Sequence, residues 1–498
     1  MSGRGAVSPP VTRTGRKVRG LRLALLLAAL MLALLPLRVR GQSLPGEGTP
    51  PDNSAPTDTV TTPAPALSPI PSHDWRAPGF VAVVEGRLYD TQCRPLRSIG
   101  SNVPNLMFRR GIRENLEWMR WHQMRWLRVI VTGHGHATQH PDVANGGVER
   151  RLEALLREVE AFNAAHDPSE SIYALVGLTD YYEPGVPGDR FGFDKSGWCL
   201  LRVLNAPWYR RGVPRYDFEQ ECGGGRLEGA PNYEVNFKPW VQRIVAVGAG
   251  SPALLGWQLG NELKARNSPL NGIFEAYDWY LDWMRDMVDT IRTIDRVHVV
   301  FAGAQYMAEL TDFPYRPAGN AIRPDFQPRY DELFDAMLRA CAAYCWNAWS
   351  LTNYDFRLYA VDDAMVLERA GVAAVVTEFG FTLGTREEEL ERYGGDRRAA
   401  IQLGVSRPWQ DIDGIWHPSQ WGVLDLIERA GLDGIAPWGT PNPDPGTEPW
   451  LDLDANRGVA NAPEGAEMWD IWHRLAGQLE EANRRASVSS ACLALDSR

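Results

Sequence analysis

Two short apolar segments each end in a glutamate. Leu254-Leu255-Gly256-Trp257-Gln258-Leu259-Gly260-Asn261-Glu262 runs from buried-strand residues into Asn-Glu, and Val372-Ala373-Ala374-Val375-Val376-Thr377-Glu378-Phe379-Gly380 runs the same way into Glu-Phe-Gly. Paired carboxylates suit one reaction above others. Hydrolysing an acetal near neutral pH needs one carboxylic acid to protonate the departing oxygen and a second carboxylate to attack or to activate water. Both groups must point into one cavity. A lone Asn-Glu carries little weight, because surface solvation explains most such dipeptides. Two strand-terminal glutamates, each behind an apolar run, are far harder to obtain by accident.

The elements that would hold them can be read from the pattern around them. Phe80 to Val84 and Arg87 to Asp90, separated by Glu85-Gly86, predict a small hairpin suited to plugging the bottom of a barrel. Eight strands follow: Leu96 to Val103, Trp126 to Thr132, Tyr173 to Thr179, Leu254 to Leu259, His298 to Gly303, Trp346 to Asn353, Ala373 to Glu378 and Gly434 to Trp438. Amphipathic helices are expected at about Ile112 to Trp121, Val148 to Ala165, Phe237 to Val247, Gly272 to Ile294, Tyr330 to Ala343, Leu358 to Ala370, Trp421 to Ala430 and Ala466 to Ala482. Eight of each in alternation is the count of an α/β (β/α)₈ TIM barrel, here with an N-terminal hairpin and a long loop insertion after strand 3. A doubly wound open sheet would often carry a Gly-rich phosphate turn after its first strand, and Gly100-Ser101-Asn102-Val103-Pro104 is not one. In a barrel the C-terminal strand ends gather at one face, so Glu262 on the fourth strand and Glu378 on the seventh can meet. The insertion from Asp180 to about Glu234 is placed to wall the mouth of that face or to cap it.

Trp257-Gln258-Leu259-Gly260-Asn261-Glu262 and Thr377-Glu378-Phe379-Gly380 resemble the acid/base and nucleophile motifs of the retaining (β/α)₈ glycoside hydrolases, most closely family 5, the cellulase and β-mannanase type. The resemblance spans roughly Val81 to Ala482. It implies that Glu262 is the general acid/base, Glu378 the nucleophile, and Asn261 the partner of the sugar 2-hydroxyl. Arg128 matches the family's second-strand arginine, which lies beside the nucleophile and keeps it ionised. Tyr354 matches a sixth-strand tyrosine near the nucleophile, and Trp438 an eighth-strand tryptophan that floors the sugar ring. Gly86-Arg87-Leu88-Tyr89-Asp90 leading to Ile99-Gly100-Ser101-Asn102 also resembles the family's opening, while Pro252 to Trp257 and the aromatic third loop lean to the mannanase side. Two positions depart from the pattern: Thr352 stands where a histidine is usual, and Leu178-Thr179-Asp180 replaces a third-strand histidine. Asn102, Asp180 and Tyr306 follow other strands and are further candidates for sugar contact, with Tyr181, Tyr182 and Gln305 beside them. Each of these also has a plain reading: Arg128 as a buried ion-pair partner, Tyr354 and Trp438 as packing residues.

Two other chemistries compete. His134-Gly135-His136, at the end of the second strand, has the spacing of a metal pair in a metal-dependent hydrolase, but His298 is the only histidine in a later strand and sits at its start, on the wrong face. Asp452-Leu453-Asp454-Ala455-Asn456 opens like a calcium loop, yet Arg457 and Pro463 occupy the positions of the required Gly and Glu. The expectation is therefore no metal and no cofactor. A non-catalytic carbohydrate-binding protein on the same barrel is the alternative that Thr352 raises.

The 498-residue chain has a net charge of -10, which gives no electrostatic reason to approach nucleic acid. A neutral polysaccharide or oligosaccharide suits it better, and its 19 Trp and 16 Tyr supply flat faces for stacking on sugar rings. Arg13, Arg16, Lys17, Arg19 and Arg22 precede an uncharged run from Leu23 to Leu37, the pattern of a secretory signal at 1–41; an uncleaved membrane anchor is the alternative. Residues 42–75 have the composition of a disordered Pro/Thr/Ser-rich linker, 76–485 would form the catalytic domain, and 486–498 a C-terminal tail. The expected product is a secreted monomer without membrane contact after cleavage. Export would allow disulfides among Cys93, Cys199, Cys222, Cys341, Cys345 and Cys492, with Cys199 and Cys222 the favoured pair because they bracket a stretch rich in Pro and Arg.

Overall fold

The computed structural model describes residues 77–132, 147–179, 209–213, 215–219, 226–235, 237–261, 275–304, 343–350, 372–381, 409–410, 416–417, 432–437 and 463–494. The hairpin comes first, β1 (Ala82–Val84) against β2 (Arg87–Tyr89). Its turn residues Glu85 and Gly86 both have positive φ, 50° and 71°, as a two-residue loop between twisted antiparallel strands requires.

Eight parallel strands then close a barrel in chain order: β3 (Ser98–Asn102), β4 (Trp126–Ile130), β5 (Tyr173–Gly177), β8 (Leu254–Gln258), β9 (Val299–Ala304), β10 (Ala343–Ser350), β11 (Ala373–Phe381) and β14 (Gly434–Pro437), which pairs back onto β3. Between the third and fourth barrel strands stands a second hairpin, β6 (Arg215–Glu219) with β7 (Arg226–Pro231), and before the last strand a short one, β12 (Trp409–Gln410) with β13 (Trp416–His417). Helices α1 (Ile112–Trp121), α2 (Val148–Ala164), α3 (Phe237–Gly248), α4 (Glu275–Ile294) and α5 (Pro463–Arg485) agree with expectation to within a few residues, and α6 (Ser490–Ala494) follows. The helices expected at 358–370 and 421–430 lie outside the described residues, as does the one expected at Tyr330 to Ala343 except for Ala343 itself, which is in a strand. One strand is displaced: the sixth begins at Ala343 rather than Trp346, because Ala343 pairs with both Phe301 and Ala373, and sheet pairing overrides the helical preference of an alanine.

Alternation along the strands separates two cores. Leu127, Val129, Ala174, Val176, Ala374 and Val376 pack outward against the helices. Trp126, Tyr173, Leu175, Leu255, Phe301 and Val375 fill the barrel together with Val81, Val83 and Leu88 of the hairpin, which closes its lower end. Fitting an indole inside the barrel demands glycine on the neighbouring strands. A Cβ on Gly100 would lie 2.3 Å from Trp126 Cε2, and one on Gly434 would lie 2.8 Å from Trp126 Nε1.

Two buried acids organise the lower end. Asp433 accepts from the Leu88 N–H at 3.0 Å and the Ala374 N–H at 3.1 Å, joining the hairpin to β11. Burial pushes its carboxyl up to about 6 against the pull of Arg87 and these hydrogen bonds. Asp295 accepts from Trp257 Nε1 at 2.7 Å and lies 2.7 Å from His298 Nδ1; burial opposes its charge, but the His298 and Trp257 contacts win and hold it below the usual carboxylate range. His298 is thus an internal strut at the start of β9, its other ring nitrogen 2.8 Å from the Ser251 carbonyl.

Among the described cysteines, one pair that the sequence did not single out is bonded. Cys93, just after β2, is bonded to Cys492 in α6, and both are buried. The segment expected as a tail is therefore anchored beneath the barrel. Cys199 and Cys222 lie outside the described residues, as do residues 1–76. Among the described residues no helix is long and apolar enough to cross a membrane.

Candidate active site

Arg128 is the third residue of β4, two beyond the interior Trp126, so alternation turns it into the barrel. It is fully buried. Its guanidinium reaches three other strands. Nη1 donates to Glu378 Oε1 at 2.7 Å and to Asn102 Oδ1 at 3.3 Å; Nη2 donates to Asn261 Oδ1 at 2.7 Å; Nε donates to Gln258 Oε1 at 2.7 Å. Asn102 ends β3, Gln258 ends β8 with Asn261 three residues on, and Glu378 lies in β11. These are the first, fourth and seventh barrel strands, all meeting near the C-terminal face.

Simple alternation would not deliver two of these side chains. In β11, Val375 faces inward and Val376 outward, which would place Thr377 inside and Glu378 outside. A register shift between Val376 and Phe379 against β14, matched by one between Trp346 and Asn347 on β10, inserts one residue and brings Glu378 round to Arg128. A similar shift lies between β5 and β8, where Ala174 pairs with Leu254 but Leu175 with Gly256. Leu255 faces inward and Trp257 outward, so Gln258 points in.

The Arg128–Glu378 ion pair is nearly sealed, with side-chain exposures of 0% and 4%. Asn261 is placed by its backbone, whose N–H donates to the Thr179 carbonyl at 2.8 Å. The Arg128 donor fixes which end of the Asn102 amide is oxygen, leaving Asn102 Nδ2 as a buried donor without a hydrogen-bond partner among the described residues. Such an atom is a candidate for a ligand contact.

Of the residues singled out from sequence, the structure brings Asn102, Arg128, Asn261 and Glu378 together. Glu262, Asp180, Tyr306, Tyr354 and Trp438 lie outside the described residues, as do His134, His136, Thr352 and Asp452 to Asn456. Among the described residues no group of three His, Cys, Asp or Glu side chains could hold a metal ion. Gln258 had no assigned role. Its signal was present, since a glutamine in an otherwise apolar buried run needs a partner.

No family model matches the chain. It is 22% identical over 169 residues to mannan endo-1,4-β-mannosidase A of Podospora anserina, a match covering 34% of this chain and 35% of that protein, so the chain spans about a third of the length of this relative. Among solved structures it is similar to the endo-1,4-β-D-mannanase of Thermotoga petrophila, with TM-score 0.48, 13% identity, and 77% of this chain and 99% of that one covered. The endo-1,4-β-mannanase of Rhizomucor miehei gives TM-score 0.46 and 15% identity over 80% and 99% of the two chains. The β-glucanase of Saccharophagus degradans gives 0.45 and 11% over 83% and 98%.

Proposed function

We propose that this protein is an exported glycoside hydrolase that cleaves β-linked polysaccharide, β-1,4-mannan first and β-glucan next, by double displacement with net retention. The observation that carries the reading is the buried Arg128–Glu378 pair on the same guanidinium as Asn261, the residue that immediately precedes Glu262 in the chain. The motif resemblance and the mannan-named relative favour mannan as the substrate.

In the first step a Glu378 carboxylate oxygen attacks the anomeric carbon as the glycosidic C–O bond breaks, and Glu262 gives its proton to the leaving oxygen. Glu262, now a carboxylate, takes a proton from water, whose oxygen attacks the same carbon and displaces Glu378. Both residues return to their starting states. Arg128 holds the attacking carboxylate in place, while Asn261 and the free Asn102 Nδ2 are available to sugar hydroxyls. Tyr354 and Trp438 would complete the sugar-binding surface, with Asp180 and Tyr306 beyond it.

The test is turnover of mannan, glucomannan, cellulose and aryl β-glycosides by the unsubstituted protein and by Glu378→Ala and Glu262→Ala. Each substitution is expected to lower kcat by about 10³-fold or more with an unchanged circular dichroism spectrum. Full activity in either variant would sink the proposal. Product first appearing with the inverted anomeric configuration by proton NMR would overturn retention. Thr352, in place of the usual histidine, favours the second reading, a carbohydrate-binding protein; mannan binding without reducing-sugar release would establish it.

A further inference from the structure

Gln258 has no part in the chemistry above, yet it makes the hydrogen bond that sets the plane of Arg128. It is 1% exposed and turned inward by the irregularity between β5 and β8. Its Oε1 accepts from Arg128 Nε at 2.7 Å, and its Nε2 donates to the Gly260 carbonyl at 2.9 Å. Space for the amide comes from the neighbouring strand, where a Cβ on Gly177 would stand 3.3 Å from Oε1.

Each bond has a consequence. Nε lies at the root of the guanidinium, so anchoring it fixes the directions in which Nη1 and Nη2 point, toward Glu378 and Asn261. The Gly260 bond fixes the backbone that leads into Asn261 and Glu262. A carboxylate could serve Nε equally well in shape, but it would bring a second anion to the cation. With an amide there, Glu378 is the one carboxylate paired with Arg128 among the described residues.

On the reading of the site given above, we propose that Gln258 is a positioning residue: its neutral amide orients Arg128 and leaves the arginine's charge undivided for Glu378, while tying that arginine to the backbone that carries the acid/base. It touches no substrate and acts through Arg128 and Gly260.

Two substitutions test this, with mannan turnover followed against pH. Gln258→Glu keeps the shape but adds a second carboxylate to Arg128, so the acidic limb of kcat/KM should move up by about one pH unit. Gln258→Met keeps the bulk and leaves Arg128 Nε without an acceptor, so kcat should fall by about 10²-fold with KM little changed. A purely structural role would lower the melting temperature and leave the acidic limb where it was. An unmoved limb in Gln258→Glu, with the unsubstituted protein active, overturns this inference and leaves the proposed function standing. No turnover by the unsubstituted protein overturns both. Gln258→Glu carries the test alone if Gln258→Met does not fold.

Discussion

Arg128 makes four hydrogen bonds from a fully buried position, and no other side chain could make all of them. Lysine has one ammonium and three donors on a point, without the flat fork that reaches Gln258, Asn261 and Glu378 at once. Arg128→Lys is therefore expected to lose about 10²-fold in kcat while still folding, measured on any substrate the unsubstituted protein turns over. Arg128→Met removes an ionic partner of the buried Glu378 carboxylate and should cost about 3–5 kcal/mol in a urea unfolding experiment. An Arg128→Met variant as stable as the unsubstituted protein would mean that Glu378 is not held as a buried anion. At this scale the sequence was informative about types: a charged residue inside an apolar strand, as at Arg128 in Trp126 to Ile130, must find a partner. For Gln258 it showed that a partner was needed but not which one, because nothing in a linear pattern says which polar side chain reaches which guanidinium nitrogen.

The barrel strands could be located from apolar runs because a parallel sheet covered on both faces is apolar throughout. What such a run hides is its phase. The two register irregularities that turn Glu378 and Gln258 inward leave no mark in composition, so the facing of both residues became visible only in three dimensions. The phase of β8 also depends on Gly256, where a Cβ would lie 2.4 Å from the Val299 carbonyl oxygen and 2.7 Å from Phe301 Cε2. Gly256→Ala must push β9 away and should cost about 1–3 kcal/mol, read as a lower midpoint in thermal unfolding. Asp433, joining β2 to β11, yields a prediction in pH. Burial raises its carboxyl from the ordinary carboxylate range to about 6, so the folded state takes up the proton first on acidification. The associated stability is fully present below about pH 4 and is lost as pH rises through about 6. The melting temperature of the unsubstituted protein relative to that of Asp433→Asn should fall between pH 4 and pH 7. A constant difference would show that Asp433 keeps its charge throughout.

At the scale of the whole molecule, the bond between Cys93 and Cys492 links the two ends of the described chain, across a sequence separation of 399 residues. Six cysteines allow too many pairings for sequence to choose among them, and these two partners meet only once β3 and β14 have closed the barrel. Cys492→Ser is expected to lower the thermal midpoint by about 5 °C, since the cross-link is worth roughly 2–4 kcal/mol. The same bond makes the polypeptide between these two cysteines a covalent ring. Cutting a ring once opens it without dividing it. A protease that clips any single loop between the two cysteines should therefore leave a product of undiminished mass on a non-reducing gel, which separates into two fragments only when a thiol is added.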